Sequence, residues 1–360
     1  YLFICYILYI SIAHHQGRVN MNIGISGMGR IGRLLVRQAF TKGSNHTIKA
    51  INSVYPVETI AHLLKYDSIH GIWNAEISCE GNKLIINGQE IIIFFEREPV
   101  NIPWENASIH TVIDATGKFN HREGAKNHLG AGVSTVIISA PGEQMDFTIV
   151  MGVNDHLYDT DKHAIISAAS CTTNCVAPVL HIIDQALGVK SAWMTTIHSY
   201  TSDQRHLDNP HHDLRRARAC TQSIVPTSTG VGKALLDVLP HLAPVVQGLS
   251  IRVPTPDVSL IDLTVQVHRS TTNSHVKSIF QKSTQGKMQR IVDYIEEPLV
   301  STDFIGCNKS AVIDGMSLMV HEDQIKVLAW YDNEWAYACR VMDLAQLVNE
   351  GQRERMSSIC

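Results

Sequence analysis

Residues 21–40 read MNIGISGMGRIGRLLVRQAF, and this stretch decides the fold. An apolar strand is expected over Asn22–Ser26, followed by the turn Gly27-Met28-Gly29-Arg30-Ile31-Gly32. A helix then begins, with Ile31, Leu34, Leu35 and Ala39 at helical spacing. A GxGxxG turn alone is weak evidence. Between a strand and a helix, near the start of a domain, it reads as a dinucleotide-binding turn. Its glycines permit a tight bend and close backbone approach, and the helix N-terminus faces a pyrophosphate.

Outward from that turn, TIKAIN (47–52) predicts a second strand, and TVIDATG (111–117) and STVIISAPG (134–142) predict further short strands ending in turn residues. Strand alternating with helix implies a doubly wound parallel sheet. An NAD site calls for an acidic residue about 20 positions beyond the turn, at the end of the second strand. The chain there reads AINSVYP (50–56), with Asn52 and Ser53 and no carboxylate. A 2′-phosphate meets no repulsion at that point, and the serine hydroxyl can donate to it. NADP is therefore the expected cofactor, with NAD as the alternative.

The second half has a different texture. SCTTNC (170–175) opens a helix of about four turns, ending near Leu187, with Val176, Val179, Leu180 and Ile183 on one face. Pro178 inside it predicts a kink. VKSAWMTTIH (189–198) and SLIDLTVQVH (259–268) alternate as strands of an antiparallel sheet covered on one face. AYACRVMDLAQLVNE (336–350) is helical. The expected division is a dinucleotide-binding domain over 21–170, a catalytic domain over 171–334, and a helix over 335–352 returning to the first domain. Residues 1–20, which include YLFICYILYISIA, look foreign to the rest and too short to span a bilayer; they read as a disordered tail or a translated upstream segment.

The chain has 360 residues, 44% hydrophobic and 18% charged, which predicts a globular protein of two domains rather than a disordered one. A formal net charge of -4 argues against a broad nucleic-acid surface. The eight cysteines lack paired, regular spacing, which points to a reducing, cytoplasmic compartment. No membrane partner is expected. For SCTTNC, a metal site would need a second cluster, and a Cys171–Cys175 disulfide within one helical turn has poor geometry. A nucleophile fits better. Cys171 stands where a polar loop meets a helix start, whose N–H groups and dipole favour thiolate. His198, at the end of a strand in TTIHSYT, is the candidate base. Thiol, base and nicotinamide together suggest aldehyde oxidation through a hemithioacetal and a thioester.

Together, ASCTTNC, TTIHSYT, LRRARA, PTSTG, IRVPTPDVSLIDL and WYDNEW resemble phosphorylating glyceraldehyde-3-phosphate dehydrogenase, in order, from Met21 to about Asn349. The resemblance implies a Rossmann-type doubly wound domain plus an α+β catalytic domain with a mostly antiparallel sheet. It implies Cys171 as nucleophile and His198 as base. It assigns Thr201, Asp203 and Arg252 to the substrate's phosphate, Ser170, Thr172, Thr229, Gly230 and Arg216 to inorganic phosphate, and lets Arg216 serve both. Gly27, Gly29, Arg30, Ile31 and Gly32 match the pyrophosphate turn, Thr116, Gly117 and Ser139 line the cofactor, and Asn333 orients its carboxamide. It further implies a homotetramer in which the loop 205–218 lines a neighbour's cofactor site. Ser53 replaces the NAD-type Asp, and Asn209 stands where NAD-preferring members carry Leu; both resemble the NADP-preferring bacterial branch that works in the gluconeogenic direction. Arg97, in FEREP, is a candidate 2′-phosphate partner. The expected substrates are glyceraldehyde 3-phosphate and inorganic phosphate. Two alternatives stay open: an erythrose-4-phosphate dehydrogenase, which typically lacks the counterparts of Thr201, Thr229 and Gly230, and a non-catalytic binding protein on the same fold.

Overall fold

Ile23 and Ile25 are fully buried, as a strand in the middle of a helix-covered parallel sheet requires. They belong to β1 (Asn22–Ser26), which leads through the glycine turn into helix α1 (Arg30–Ala39) and on to β2 (Thr47–Asn52). This computed structural model describes residues 22–41, 44, 46–130, 132–286 and 288–359. The expected extension, 1–20, lies outside the described residues. β1 pairs in parallel with β2 on one side and with β4 (Thr111–Asp114) on the other. β2 is followed in space by β3 (Gln89–Phe94), and β4 by β5 (Thr135–Ile138) and β6 (Ile165–Ser167), all parallel. The strand order reverses direction at β1, so a crevice opens at its carboxyl end, beside the glycine turn. Ile77–Glu80 and Lys83–Ile86 close the β3 edge as antiparallel strands.

The second sheet is mostly antiparallel. Helix α2 (Cys171–Leu187) leads into β7 (Val189–Ser199), which pairs in parallel with β8 (Val246–Val253) and antiparallel with β9 (Ser259–Val267). β9 pairs antiparallel with β10 (Gln324–Tyr331). The alternation expected of β7 and β9 is seen: Met194, Ile261, Leu263 and Val265 are buried in a core that includes Val176, Val179, Leu180 and Ile183 of α2. Helix α2 runs unbroken through Pro178. The last helix, α3 (Trp335–Ile359), extends past the expected residue 352 and packs Val341, Leu344, Ala345 and Val348 with Leu34 and Leu35 of α1.

The glycine turn is fixed by packing. Gly27 has φ +97°, and a Cβ there would lie 2.7 Å from the backbone of Ala115 and Thr116. A Cβ at Gly32 would stand 2.0 Å from the Gly27 carbonyl oxygen. Because the obstructing atom is backbone, Gly32→Ala is expected to destabilise the fold by about 1–3 kcal/mol. Urea unfolding of the two proteins checks this, and an unchanged midpoint would contradict it.

Candidate active site

Helix α2 begins at Cys171 because Ser170 caps it: the Ser170 hydroxyl accepts from the Thr173 N–H at 3.0 Å. The residue before, Ala169, has φ +57°, a sharp turn out of β6 for a residue with a side chain. Cys171 is half-buried and packs against the apolar cores of both sheets, so it stands at their junction. Opposite it, next to the end of β7, stands His198, whose Nε2 lies 3.5 Å from Cys171 Sγ. The parallel register pairs His198 directly with Arg252 on β8.

His198 Nδ1 stands between the Ser199 carbonyl at 2.7 Å, which can only accept, and the Arg252 guanidinium, which can only donate, so it serves one of them at a time; when it carries the proton it bonds the carbonyl and leaves the Nε2 lone pair toward the thiol. The Arg252 guanidinium lies 2.8 Å from Nδ1 and donates to the same carbonyl. Burial first, and the Arg252 charge second, hold the His198 pKa down to about 3, so without a ligand the ring is neutral near pH 7 and a weak base. Burial pushes the Cys171 thiol above its ordinary value, with Arg252 pulling the other way. The thiolate expected from the helix start is therefore opposed, without a ligand, by the dryness of the site.

Arg252 has no carboxylate partner among the described residues, and its buried Nε has no hydrogen-bond partner. Arg216 reaches the same region from the loop, donating to Asp203 at 2.5 Å and to the Thr227 hydroxyl at 3.1 Å. Gly230 is the N-cap of the helix Val231–Val238, with no side-chain cap, so N–H groups are exposed beside Thr229. Two arginines and an uncapped helix start make this region suited to anions. Two residues are engaged differently from expectation. The Thr172 hydroxyl turns inward to the Tyr331 hydroxyl at 3.0 Å, and the Ser170 hydroxyl is engaged by Thr173. Thr201 is half-buried beside Asp203.

The crevice at the end of β1 has a volume of 530 Å³ and includes Gly27, Gly29, Ser53, Arg97 and Thr116 in its lining. A Cβ on Gly29 would meet nothing within 4 Å, unlike one on Gly27 or Gly32. The start of α1 has no side-chain cap and no acidic residue in its first turn. Open space over uncapped N–H groups fits a dinucleotide pyrophosphate. Ile31 lies in that first turn, whereas the Arg30 guanidinium points away, to Asp67 and Glu334, which leaves only its backbone for a phosphate. Thr116 donates its N–H and hydroxyl to Asp114, and Gly117 follows with φ +69°. Ser139 follows β5 and donates its N–H to the Asp114 carbonyl. Ser53 is buried and its hydroxyl accepts from the Tyr55 N–H, which leaves its own proton to donate. Arg97 is exposed, but Glu96 and Glu98 also line the crevice, with Lys118 opposing them. Asn209 does not join this lining within one chain. Asn333 is buried and its Oδ1 accepts from the hydroxyls of Ser199 at 2.8 Å and Ser259 at 2.7 Å, so its NH₂ is oriented for a carbonyl.

Sequence reasoning missed Tyr331. Its buried hydroxyl bridges Thr172 on α2 and Thr196 on β7, the neighbours of Cys171 and His198. Only its place in an alternating strand could have signalled burial.

Residues 21–122 match the family described as glyceraldehyde 3-phosphate dehydrogenase, NAD binding domain, and residues 170–333 match its C-terminal domain. The chain is 49% identical over 331 residues to "Glyceraldehyde-3-phosphate dehydrogenase 2" of Bacillus subtilis, covering 92% of this chain and 97% of that protein. It is 47% identical over 329 residues to "Glyceraldehyde-3-phosphate dehydrogenase" of Geobacillus stearothermophilus, covering 91% and 98%.

Two outcomes are expected from the geometry. Iodoacetamide should alkylate Cys171 ahead of the buried Cys175, Cys220 and Cys339, and His198→Asn should slow that reaction near pH 7 by about 10²-fold or more; peptide mapping over time checks both. Tyr331→Phe strands two buried threonine hydroxyls and should cost about 1–3 kcal/mol in urea unfolding.

Proposed function

The chain belongs to the glyceraldehyde 3-phosphate dehydrogenase family and is an NAD(P)-dependent oxidoreductase acting on an aldehyde; we propose that it reversibly oxidises glyceraldehyde 3-phosphate with inorganic phosphate to 1,3-bisphosphoglycerate. The observation that carries this reading is the row Cys171, His198, Arg252, in which a thiol faces an imidazole nitrogen and the next side chain is an arginine with an unpaired donor.

In the proposed reaction Cys171 Sγ attacks the aldehyde carbon while His198 Nε2 takes the thiol proton. The product is a hemithioacetal oxyanion on Cys171, with the proton held on His198. The nicotinamide, when bound, accepts the hydride whose loss converts that hemithioacetal to a thioester. Phosphate then attacks the thioester carbonyl, and Cys171 leaves as thiolate and takes its proton back from His198. Thr201, Asp203 and Arg252 hold the substrate phosphate, Ser170, Thr172, Thr229 and Gly230 hold inorganic phosphate, and Arg216 serves both. For Thr172 the backbone N–H is the available donor. Asn333 donates its NH₂ to the carboxamide, while Gly27, Gly29, Arg30, Ile31 and Gly32 receive the pyrophosphate through the backbone.

NADP is the proposed preferred cofactor. Neither Asn52 nor Ser53, at the end of β2, is a carboxylate, the Ser53 proton is available to donate, and Arg97 and Lys118 offset Glu96 and Glu98 in the crevice. Asn209 contributes from a neighbouring subunit. Exposed Leu207 and Leu214 in the 205–218 loop, and exposed Trp193, support a homotetramer that covers them. A cytoplasmic location is part of the proposal, resting on six unpaired cysteines among the described residues. No helix among those residues is long and apolar enough to cross a membrane.

Initial rates with glyceraldehyde 3-phosphate, with and without phosphate and with each cofactor, test the reading. Higher kcat/KM with NADP is expected, and Ser53→Asp should lower it by about tenfold or more. Preference for NAD would overturn the cofactor assignment. Turnover of erythrose 4-phosphate without phosphate would favour the hydrolytic relative.

A further inference from the structure

Behind Asn333 lies a buried acid pair that the reaction does not use. Asp257 and Asp332 are 3% and 1% exposed. Their carboxylates, together with the His70 ring, place oxygen and nitrogen atoms within 4.8 Å of one another. The two aspartates are unequally provided for. Asp332 accepts from the N–H groups of Glu334 at 2.9 Å, Trp335 at 2.6 Å and Gly306 at 2.8 Å, so it caps the start of α3. Neither Asp257 oxygen has a hydrogen-bond donor.

Among the described residues no arginine or lysine pairs with Asp257, and only His70 comes near it. Arg30 is taken by Asp67 and Glu334, and Arg33 approaches only Asp67, at 4.0 Å. His70 Nε2 is 3.3 Å from Glu334 and 3.8 Å from Asp257. The groups facing the pair are His70 from the turn after residue 65, Glu334 from the start of α3, and Cys307 from the turn before the Ala311–Asp314 strand. Two ionised carboxylates this close, with donors for only one, are costly in a dry site. Burial and the charges of Asp332 and Glu334 push Asp257 far above the carboxylate range.

The pair is the end rung of a ladder that reaches Asn333. Ser259 is the register partner of Tyr331, and the Ser259 hydroxyl bonds Asn333. Asp257 meets Asp332 one step beyond. Between them Val258 has φ +63°, a genuine outlier for a β-branched residue, held by packing with Phe304 and Val312. The strain turns Asp257 inward while leaving Ser259 in the sheet.

We propose that Asp257 is a positioning residue for Asn333: it carries one proton shared with Asp332, and that proton lets the segments 257–259 and 331–334 close on each other. The inference rests on the reading of Asn333 as the holder of the nicotinamide carboxamide. When the proton is lost, the segments repel and the Asn333 side chain loses its fixed place.

The test measures cofactor KM, kcat and unfolding midpoint for wild type, Asp257→Asn, Asp257→Ala and Asn333→Ala across pH 5–10. Asp257→Asn, neutral and isosteric, should keep cofactor KM at pH 7 within about twofold, whereas Asp257→Ala should raise it about tenfold, the ratio expected from one lost buried hydrogen bond to a charged group. Wild-type cofactor KM should climb as pH passes about 9, and that of Asp257→Asn should not. Stability gives a second readout, independent of activity. With a folded pKa of about 9 against about 3.9 unfolded, the proton's contribution is complete below the unfolded value and is lost as pH rises through the folded one. The midpoint of Asp257→Asn should therefore gain on wild type between pH 5 and 9.

A midpoint difference that does not vary with pH overturns the shared proton. So does Asp257→Asn behaving like Asp257→Ala at pH 7, or a wild-type midpoint raised by manganese and unresponsive in Asp257→Asn, which would make the cluster a cation site. If Asn333→Ala raises cofactor KM and Asp257→Ala does not, the positioning role alone fails. If Asn333→Ala changes nothing, the reading of Asn333 fails with it.

Discussion

Everything in the candidate site hangs on the distance between the start of one helix and the end of one strand. The Tyr331 hydroxyl sets it, bonding Thr172 beside Cys171 and Thr196 two residues before His198. Because the hydroxyl is buried, both bonds are obligatory: none of the three groups has water to turn to. The Tyr331 ring also meets the His198 ring edge-on at 5.9 Å. The same side chain thus holds the face of the imidazole and the depth of the thiol. Its register partner on the next strand is Ser259, so this spacing is continuous with the bonds that orient Asn333.

Around that spacing the electrostatics are uneven in a useful way. Arg30 and Arg216 are matched by carboxylates, whereas Arg252 keeps an unpaired donor and faces an imidazole. An arginine left so, in a dry position, is poised for an anion from outside the chain. Its charge works on both members of the reacting pair: it resists a second proton on His198 and eases ionisation of Cys171. Burial acts against ionisation in both residues, so separated charge is unfavourable until a substrate occupies the site.

The glycine turn shows that residues of one motif answer to different constraints. Gly27 and Gly32 are demanded by the chain itself, because a side chain would strike backbone. Gly29 is not: a Cβ there would meet nothing within 4 Å. Arg30, within the same motif, spends its charge on Asp67 and Glu334, tying the turn to the start of the last helix. Motif membership alone assigns all these residues to the cofactor, and only contacts separate them.

Local chemistry was readable without coordinates. Alternation of strand and helix from Asn22 onward determined the parallel sheet, the alternating strands at 189–198 and 259–268 the antiparallel one, and SCTTNC before an apolar helix the thiol at that helix's start. These depend on side-chain period, turn residues and helix caps, all written within a few positions of one another. What brings distant positions together was not readable. His198 and Arg252 are neighbours through a parallel register, Tyr331 joins two elements about 160 residues of chain away from it at the farther one, and Asp257 meets Asp332 through a strained backbone at Val258. Nor could spacing tell that Thr172 turns inward or that Arg30 faces carboxylates. Such facts are set by which faces pack and which donors are left over once the core has closed, and those are properties of the closed structure.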